Sequence, residues 1–295
     1  MGLSYRTLLA TTAVLSLAQP LYAADADRVI FAQPSDEVEV FEEVGGRIAG
    51  FVEGSYAYER GKSGGLSADG SRWALRGSMN TQVDRNWNVQ LDAGYNSSSV
   101  GPVDIQSLVG AAHAYYRVPD SYAIGAFAQA GRLTSNLFNA LVPLGADPAA
   151  IDLVAGGEAA VFTDPATLYA QLGYGRVSYS GLRGDHFIAK AGARLYATDN
   201  LRLDVEGTWN RLSAFGGNAD LYSVSAIGNY RLDQVPATVF AGYQYDYGSI
   251  SVGGAKLGNA HAHTFLTGLK FHFGSDSLKD EERRGPVWTT TALSM

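Results

Sequence analysis

The chain has 295 residues and no cysteine, with 22 Lys and Arg against 29 Asp and Glu for a formal net charge of −7. Without a thiol, a disulfide framework, a thiolate zinc site and a cysteine nucleophile are excluded. The charge is uneven: residues 24–46 hold seven acidic side chains against Arg28 alone, whereas residues 47–274 carry 18 acidic and 17 basic ones. The main body is therefore nearly neutral, and no basic patch points to nucleic acid.

In chain order, residues 1–23 come first. Arg6 precedes an apolar run from Leu8 to Leu17, followed by Pro20-Leu21-Tyr22-Ala23-Ala24. A basic residue, a short apolar run and small residues at a cleavage site read as a secretory signal peptide. The run is shorter than the roughly 20 apolar residues a membrane-spanning helix needs. Residues 24–46 are an acidic segment. Its charge suits a disordered linker, while Arg28-Val29-Ile30-Phe31-Ala32 is apolar enough to dock against the body.

Beyond residue 46 a period of two takes over. Leu201, Leu203, Val205 and Trp209 fall on one face of a strand, and Arg202, Asp204, Glu206 and Thr208 on the other. Similar runs lie near 47–58, 71–82, 87–96, 107–117, 122–133 and 151–162. Six more lie near 166–176, 186–196, 200–210, 220–232, 237–247 and 263–273. Each has about the 9–11 residues of a tilted strand that crosses a bilayer.

The connections alternate. Val83-Asp84-Arg85-Asn86, Val118-Pro119-Asp120-Ser121, Thr163-Asp164-Pro165, Ala197-Thr198-Asp199 and Asp233-Gln234-Val235-Pro236 are short and carry turn-setting residues. Longer Gly- and Ser-rich connections are expected at 59–70, 97–106, 134–150, 177–185, 211–219 and 248–262. The outward aromatics sort into two bands. Tyr56, Trp73, Tyr95, Tyr174, Trp209, Tyr243 and Tyr245 lie toward the long connections, and Trp87, Tyr116, Tyr230, Phe271 and Phe273 toward the short ones. Amphipathic rings collect at both interfaces of a membrane. The expected fold is all-β: an antiparallel transmembrane β-barrel of about 12 strands with up-and-down topology over residues 47–274, followed by a tail at 275–295.

The last run, Thr267-Gly268-Leu269-Lys270-Phe271-His272-Phe273, resembles the C-terminal signal by which bacterial outer-membrane barrels are recognised for insertion. With the signal peptide, the chain resembles the Gram-negative porin-like outer-membrane proteins. It departs from them where residues 274–295 follow the terminal Phe, which either weakens the signal or marks a periplasmic extension. The resemblance implies the outer membrane as location, outer-membrane lipid and lipopolysaccharide as surroundings, and the barrel-assembly machinery as a partner of Gly268–Phe273. It leaves homo-oligomerisation open.

Inward charged residues are the candidate site. Glu53, Arg76 and Asp92 fall on strands one to three, Glu158 on strand six, and Lys190 and Arg194 beside Arg202, Asp204 and Glu206 on strands eight and nine. They read either as a pore wall whose opposed charges orient small hydrophilic solutes or as ion pairs bracing a narrow interior. The longest connection holds Leu137, Phe138, Leu141, Val142 and Leu144. It resembles the constricting third loop of general porins, or else caps the barrel or meets a neighbour.

The histidines His113, His186, His261, His263 and His272 are scattered. The pair His261 and His263 could ligate a metal, but polar rim residues are the plainer reading. No nucleophile motif stands out, and a triad needs neighbours in space rather than in sequence. The expectation is a passive porin-like channel with no catalytic residue, metal or cofactor. The alternatives are a closed structural or surface-interaction barrel and a lipid-modifying enzyme. The tail, with Lys279-Asp280-Glu281-Glu282-Arg283-Arg284, is expected to be solvated.

Overall fold

The computed structural model describes residues 47–136, 149–214 and 216–289. The first six strands are β1 Ile48–Ser63, β2 Leu66–Gln82, β3 Trp87–Val100, β4 Val103–Val118, β5 Tyr122–Ser135 and β6 Ala150–Phe162. The next six are β7 Ala166–Tyr179, β8 Leu182–Thr198, β9 Leu201–Ala214, β10 Gly217–Arg231, β11 Ala237–Val252 and β12 Ala255–Phe273. Each pairs antiparallel with its neighbours in sequence, and β12 returns to β1 to close the barrel. The closing register runs from Gly50 opposite Phe273 to Ser63 opposite Ala260. Closure leaves no unpaired strand edge, which a sheet in hydrocarbon requires. No described helix is long and apolar enough to cross a membrane; the crossing is made by strands.

All twelve expected strands are present, but those at the long-connection rim run further. β12 starts at Ala255 rather than near 263, β2 at Leu66 rather than 71, and β8 at Leu182 rather than 186. Most of the expected loops are thus extended hairpins, turned by pairs such as Gly64-Gly65 and Gly253-Gly254. Their φ values are +54° and +83°, and +57° and +82°. A two-residue turn that matches strand twist needs positive φ at both positions, where glycine carries no steric cost. The physical reason for the misreading is the solvent. Above the bilayer both faces of a strand meet water, so the period of two fades although the backbone ladder continues.

The faces are inverted relative to a soluble protein. Leu75, Leu91, Ile124, Leu172, Val224, Phe265 and Phe271 are exposed on the outside, while Gln90, His113, Glu158, Gln171 and Arg194 are buried within. Both aromatic bands form. Phe187 and Trp209 lie 5.2 Å apart between ring centroids, and Trp209 and Tyr222 6.1 Å apart, near one rim; Trp87 and Tyr116 lie 5.8 Å apart near the other. One inner patch is apolar, made of Phe127, Val154 and Ile188. It crowds Gly173, where a Cβ would meet Val154 Cγ1 at 2.8 Å and Phe127 Cζ at 2.9 Å.

The tail corrects the sequence reading. After Gly274, at φ +70°, the chain turns into the lumen and forms α1, Leu278–Arg284. Leu278, Val287 and Trp288 are buried. Ser277 caps α1 by accepting the Asp280 amide at 2.9 Å. Asp280 and Glu281 occupy its first turn and Arg283 and Arg284 its last, as the helix dipole favours. Pro286 then prevents its continuation. Val287 and Trp288 join Tyr115, Ala123, Ala160, Phe162 and Tyr169 of the wall in one buried cluster. The tail is not solvated because the barrel offers it both an apolar seat and partners for its carboxylates and much of its backbone. The signal peptide, the acidic segment 24–46 and the apolar loop residues Leu137 to Leu144 lie outside the described residues.

Candidate functional site

Strand alternation alone brings the charged side chains together. On β1 and β2, Glu53 and Arg76 are register partners, and Arg76 Nε lies 2.9 Å from the Glu53 carboxylate. Lys270 of β12, opposite Glu53 on its other side, approaches the same carboxylate at 3.3 Å. Across the lumen Lys190 meets Glu206 at 3.4 Å, and Arg202 grips Asp204 with two bonds of 2.6 and 2.8 Å. These two walls face a cavity of about 220 Å3, also lined by Arg72, Arg194, Gln244 and Thr289.

A second cluster, on β2 to β7, is tightly filled. His113 lies between Glu158, at 2.9 Å from Nδ1, and Asp92, at 3.2 Å from Nε2. Ser78 donates to Asp92 at 2.5 Å and Gln90 at 2.8 Å, while Gln171 donates to Glu158 at 2.9 Å. Every carboxylate in it has a donor, which is the condition for burying such a network. Ser78 bonds the carboxylate rather than the imidazole, so the group lacks the serine–histidine contact of an activated nucleophile.

The half of the lumen at the short-turn rim is filled by the tail. Glu282 accepts from Arg194, from the Tyr196 hydroxyl, and from Thr167 at 2.9 Å. Glu281 pairs closely with the His272 ring. Burial pushes the Glu281 carboxyl up, but the His272 contact and the Lys270 charge outweigh it and hold the group below its usual range. Backbone groups are met as well. Arg117 donates to the Gly285 carbonyl at 2.9 Å and Arg231 to that of Ser275 at 2.6 Å. Gln90 accepts from the amides of Val287 and Trp288 at 3.0 and 3.1 Å and donates to the Trp288 carbonyl at 2.8 Å. Lys190 reaches Thr289 Oγ1 at 3.1 Å. Two of the tail's own cations go the other way, to the turns, while Arg284 pairs with Asp280 within α1 at 3.1 Å. Lys279 meets Asp164 at 2.6 Å and Asp199 at 3.6 Å, and Arg283 lies 3.7 Å from Asp120. The hydrogen bond and charge of Lys279 hold the Asp164 carboxyl below its usual range, and Asp164 in turn raises the Lys279 ammonium.

All nine sequence-predicted residues point inward, but their partners divide. Glu53 with Arg76 and Lys190 with Glu206 pair as neighbouring rows. Asp92 and Glu158 instead clamp His113, and Arg194 turns to Glu282 rather than to Asp204 or Glu206. Sequence reasoning missed His113, Lys270, Arg117, Glu281 and Glu282. The signal for the last two was Val287-Trp288 just beyond the charged run, an apolar pair with no reason to sit in a solvated tail. His261 and His263 lie at the outer rim of β12 with ring centroids 6.0 Å apart, and Tyr243 shares a 2.6 Å bond with His263 Nδ1. Among the described residues no group of three ligating side chains is arranged for a metal ion.

No protein-family model matches the sequence, nor does any curated protein. Among solved structures, the chain is similar to the β domain of the Bordetella autotransporter BrkA at 16% identity and a TM-score of 0.49. The match covers 76% of this chain and 100% of that one. The translocator domain of the autotransporter NalP from Neisseria meningitidis matches at 13% identity and 0.44, over 79% of this chain and 90% of that one. An anion-selective porin from Comamonas acidovorans matches at 11% and 0.38, over 77% and 98%. A closed antiparallel sheet, an apolar exterior girdled twice by aromatic rings and a polar interior give the chain the architecture of a β-barrel that spans a membrane.

Proposed function

We propose that the barrel is a porin-like channel for passive diffusion of small hydrophilic solutes, closed at rest by its own C-terminal segment. The observation that carries this reading is the cavity of about 220 Å3 between Glu53, Arg76 and Lys270 on one side and Lys190, Asp204 and Glu206 on the other. Six cations, Arg72, Arg76, Lys190, Arg194, Arg202 and Lys270, against the three carboxylates Glu53, Asp204 and Glu206 line this water-sized space, a charged wall that a permeating solute would feel. A wall meant only for packing has no need of such space. The mechanism involves no covalent step and no cofactor. Outer-membrane lipid and lipopolysaccharide surround the exterior, and Gly268–Phe273 is the segment offered to the assembly machinery.

A second reading, a permanently closed barrel with a structural or surface role, is favoured by the number of bonds holding the tail. Planar-bilayer recording of the full-length protein separates the two. The channel reading expects stepwise conductance, rare in the wild type and frequent once the tail is loosened by Trp288→Ala. Within the open events, Lys190→Glu shifts selectivity toward cations. Silence from both the wild type and a correctly folded Trp288→Ala protein would sink the channel.

A further inference from the structure

The charged groups of the tail that meet the inner wall have a consistent sign. There the tail presents carboxylates, and at Gly285 and Ser275 carbonyl oxygens, to wall cations and donors; the exceptions are uncharged tail donors, the Val287 and Trp288 amides to Gln90 and the Thr289 hydroxyl toward Glu206. Glu282 faces Arg194, Glu281 faces His272, and the carbonyls of Gly285 and Ser275 face Arg117 and Arg231. The wall carboxylates are already engaged, Asp204 with Arg202 and Glu53 with Arg76 and Lys270. Among the described residues, Arg117, Arg194 and Arg231 make no ion pair with any wall carboxylate. Arg117, buried on β4, also keeps Nε and Nη1 without a hydrogen-bond partner.

From this juxtaposition we infer that Glu281 and Glu282 stand in for an anionic solute. With the tail displaced, the half of the lumen at the short-turn rim is a site for small oxyanions, held by Arg117, Arg194 and Arg231 together with His272. A guanidinium presents a planar fork of donors matched to a carboxylate or phosphate. A buried cation left without its partner carries a large desolvation cost, which an entering anion relieves. The tail is therefore a tethered competitor: it shuts the lumen by occupying the sites the solute would take, and the open state prefers anions. This inference rests on the channel reading.

The test uses full-length protein. The double variant Glu281→Gln/Glu282→Gln, with Trp288→Ala as a second way to loosen the tail, is recorded in planar bilayers under a KCl gradient. Gel mobility before and after heating serves as the folding control. The expected result is an open probability above that of the wild type, with a reversal potential displaced toward that of chloride. Addition of Arg194→Gln to the loosened protein should move the reversal potential back. Inorganic phosphate or acetate on the short-turn side should reduce the chloride current of the loosened protein, and less so with Arg194→Gln. Open events without preference or with cation preference would overturn the anion site while the channel stands. Silence from both folded variants would remove the channel reading and this inference with it.

Discussion

Trp288→Ala tests whether the tail is seated by its apolar end. The side chain is 2% exposed and meets Tyr115 edge-on, with ring centroids 5.6 Å apart and planes at 87°. Truncating a buried Trp to Ala costs roughly 3–5 kcal/mol in protein cores. Here the loss falls on docking, because the closed strand ladder does not pass through residue 288. At about 1.4 kcal/mol per tenfold, even ~3 kcal/mol raises the undocked fraction by about a hundredfold. Trypsin reads that fraction: Arg283 and Arg284 are cleavage sites, and the Arg283 side chain is only 7% exposed while docked. When redocking outpaces cleavage, the rate follows the undocked population. The variant in detergent should lose its C-terminal peptide about a hundredfold faster than the wild type, with the barrel otherwise intact. A rate within about twofold of wild type would show that Trp288 contributes nothing to docking.

Other expectations use the same readout or a simple gel. Gln90→Ala removes three bonds to the Val287-Trp288 backbone and should speed tail cleavage by roughly tenfold, from about 1 kcal/mol or slightly more of net loss; an unchanged rate would show the bonds to be idle. Asp164, depressed by Lys279, contributes fully above its unperturbed value of 3.8, and its contribution is lost as pH falls through the lowered folded value. Lys279, raised by Asp164, contributes fully below 10.5, and its share is lost as pH rises through the raised value. The ratio of cleavage rates for Asp164→Asn and wild type should therefore be flat between these limits and shrink with added salt; a break near neutral pH would contradict the pairing. At Gly156 a Cβ would stand 2.0 Å from the Leu172 carbonyl oxygen, so Gly156→Val should abolish the heat-modifiable folded band, and a normally folded variant would refute that close approach.

The strands were legible because the bilayer imposes a rule that sequence records directly. Leu201, Leu203 and Val205 face hydrocarbon while Arg202, Asp204 and Glu206 cannot, so period and face are readable residue by residue. The rule lapses where the solvent changes. Above the outer girdle Arg60, Lys62 and Lys256 stand in water on extended strands, and nothing in their order distinguishes a strand from a loop. Pairing was legible only where partners are adjacent: Glu53 with Arg76 follows from neighbouring strands, whereas Arg194 chose a residue 88 positions away. A charged run such as Lys279 to Arg284 reads as solvated unless the cavity that receives it is known, and that cavity exists only after closure.

The turns and the tail illustrate how closure creates such partners. Asp120, Asp164 and Asp199 each suit a tight turn by local chemistry, and the sequence accounts for them fully on that basis. Once the sheet closes, the turns form a ring at one rim, and these three carboxylates become the receptors of Arg283 and Lys279. The wall within that ring is cationic where the tail is acidic. As a helix at that mouth the segment satisfies both, with Glu281 and Glu282 against the wall and Lys279 and Arg283 against the rim. Capping by Ser277 and arrest at Pro286 set its length. The apolar pair beyond Pro286 then reaches deeper, to Tyr115, where no water need follow. Charge complementarity orients the plug and Trp288 holds it: salt should speed tail cleavage by weakening the exposed pairs at the rim, and should speed it further in Trp288→Ala, where the apolar seat is gone.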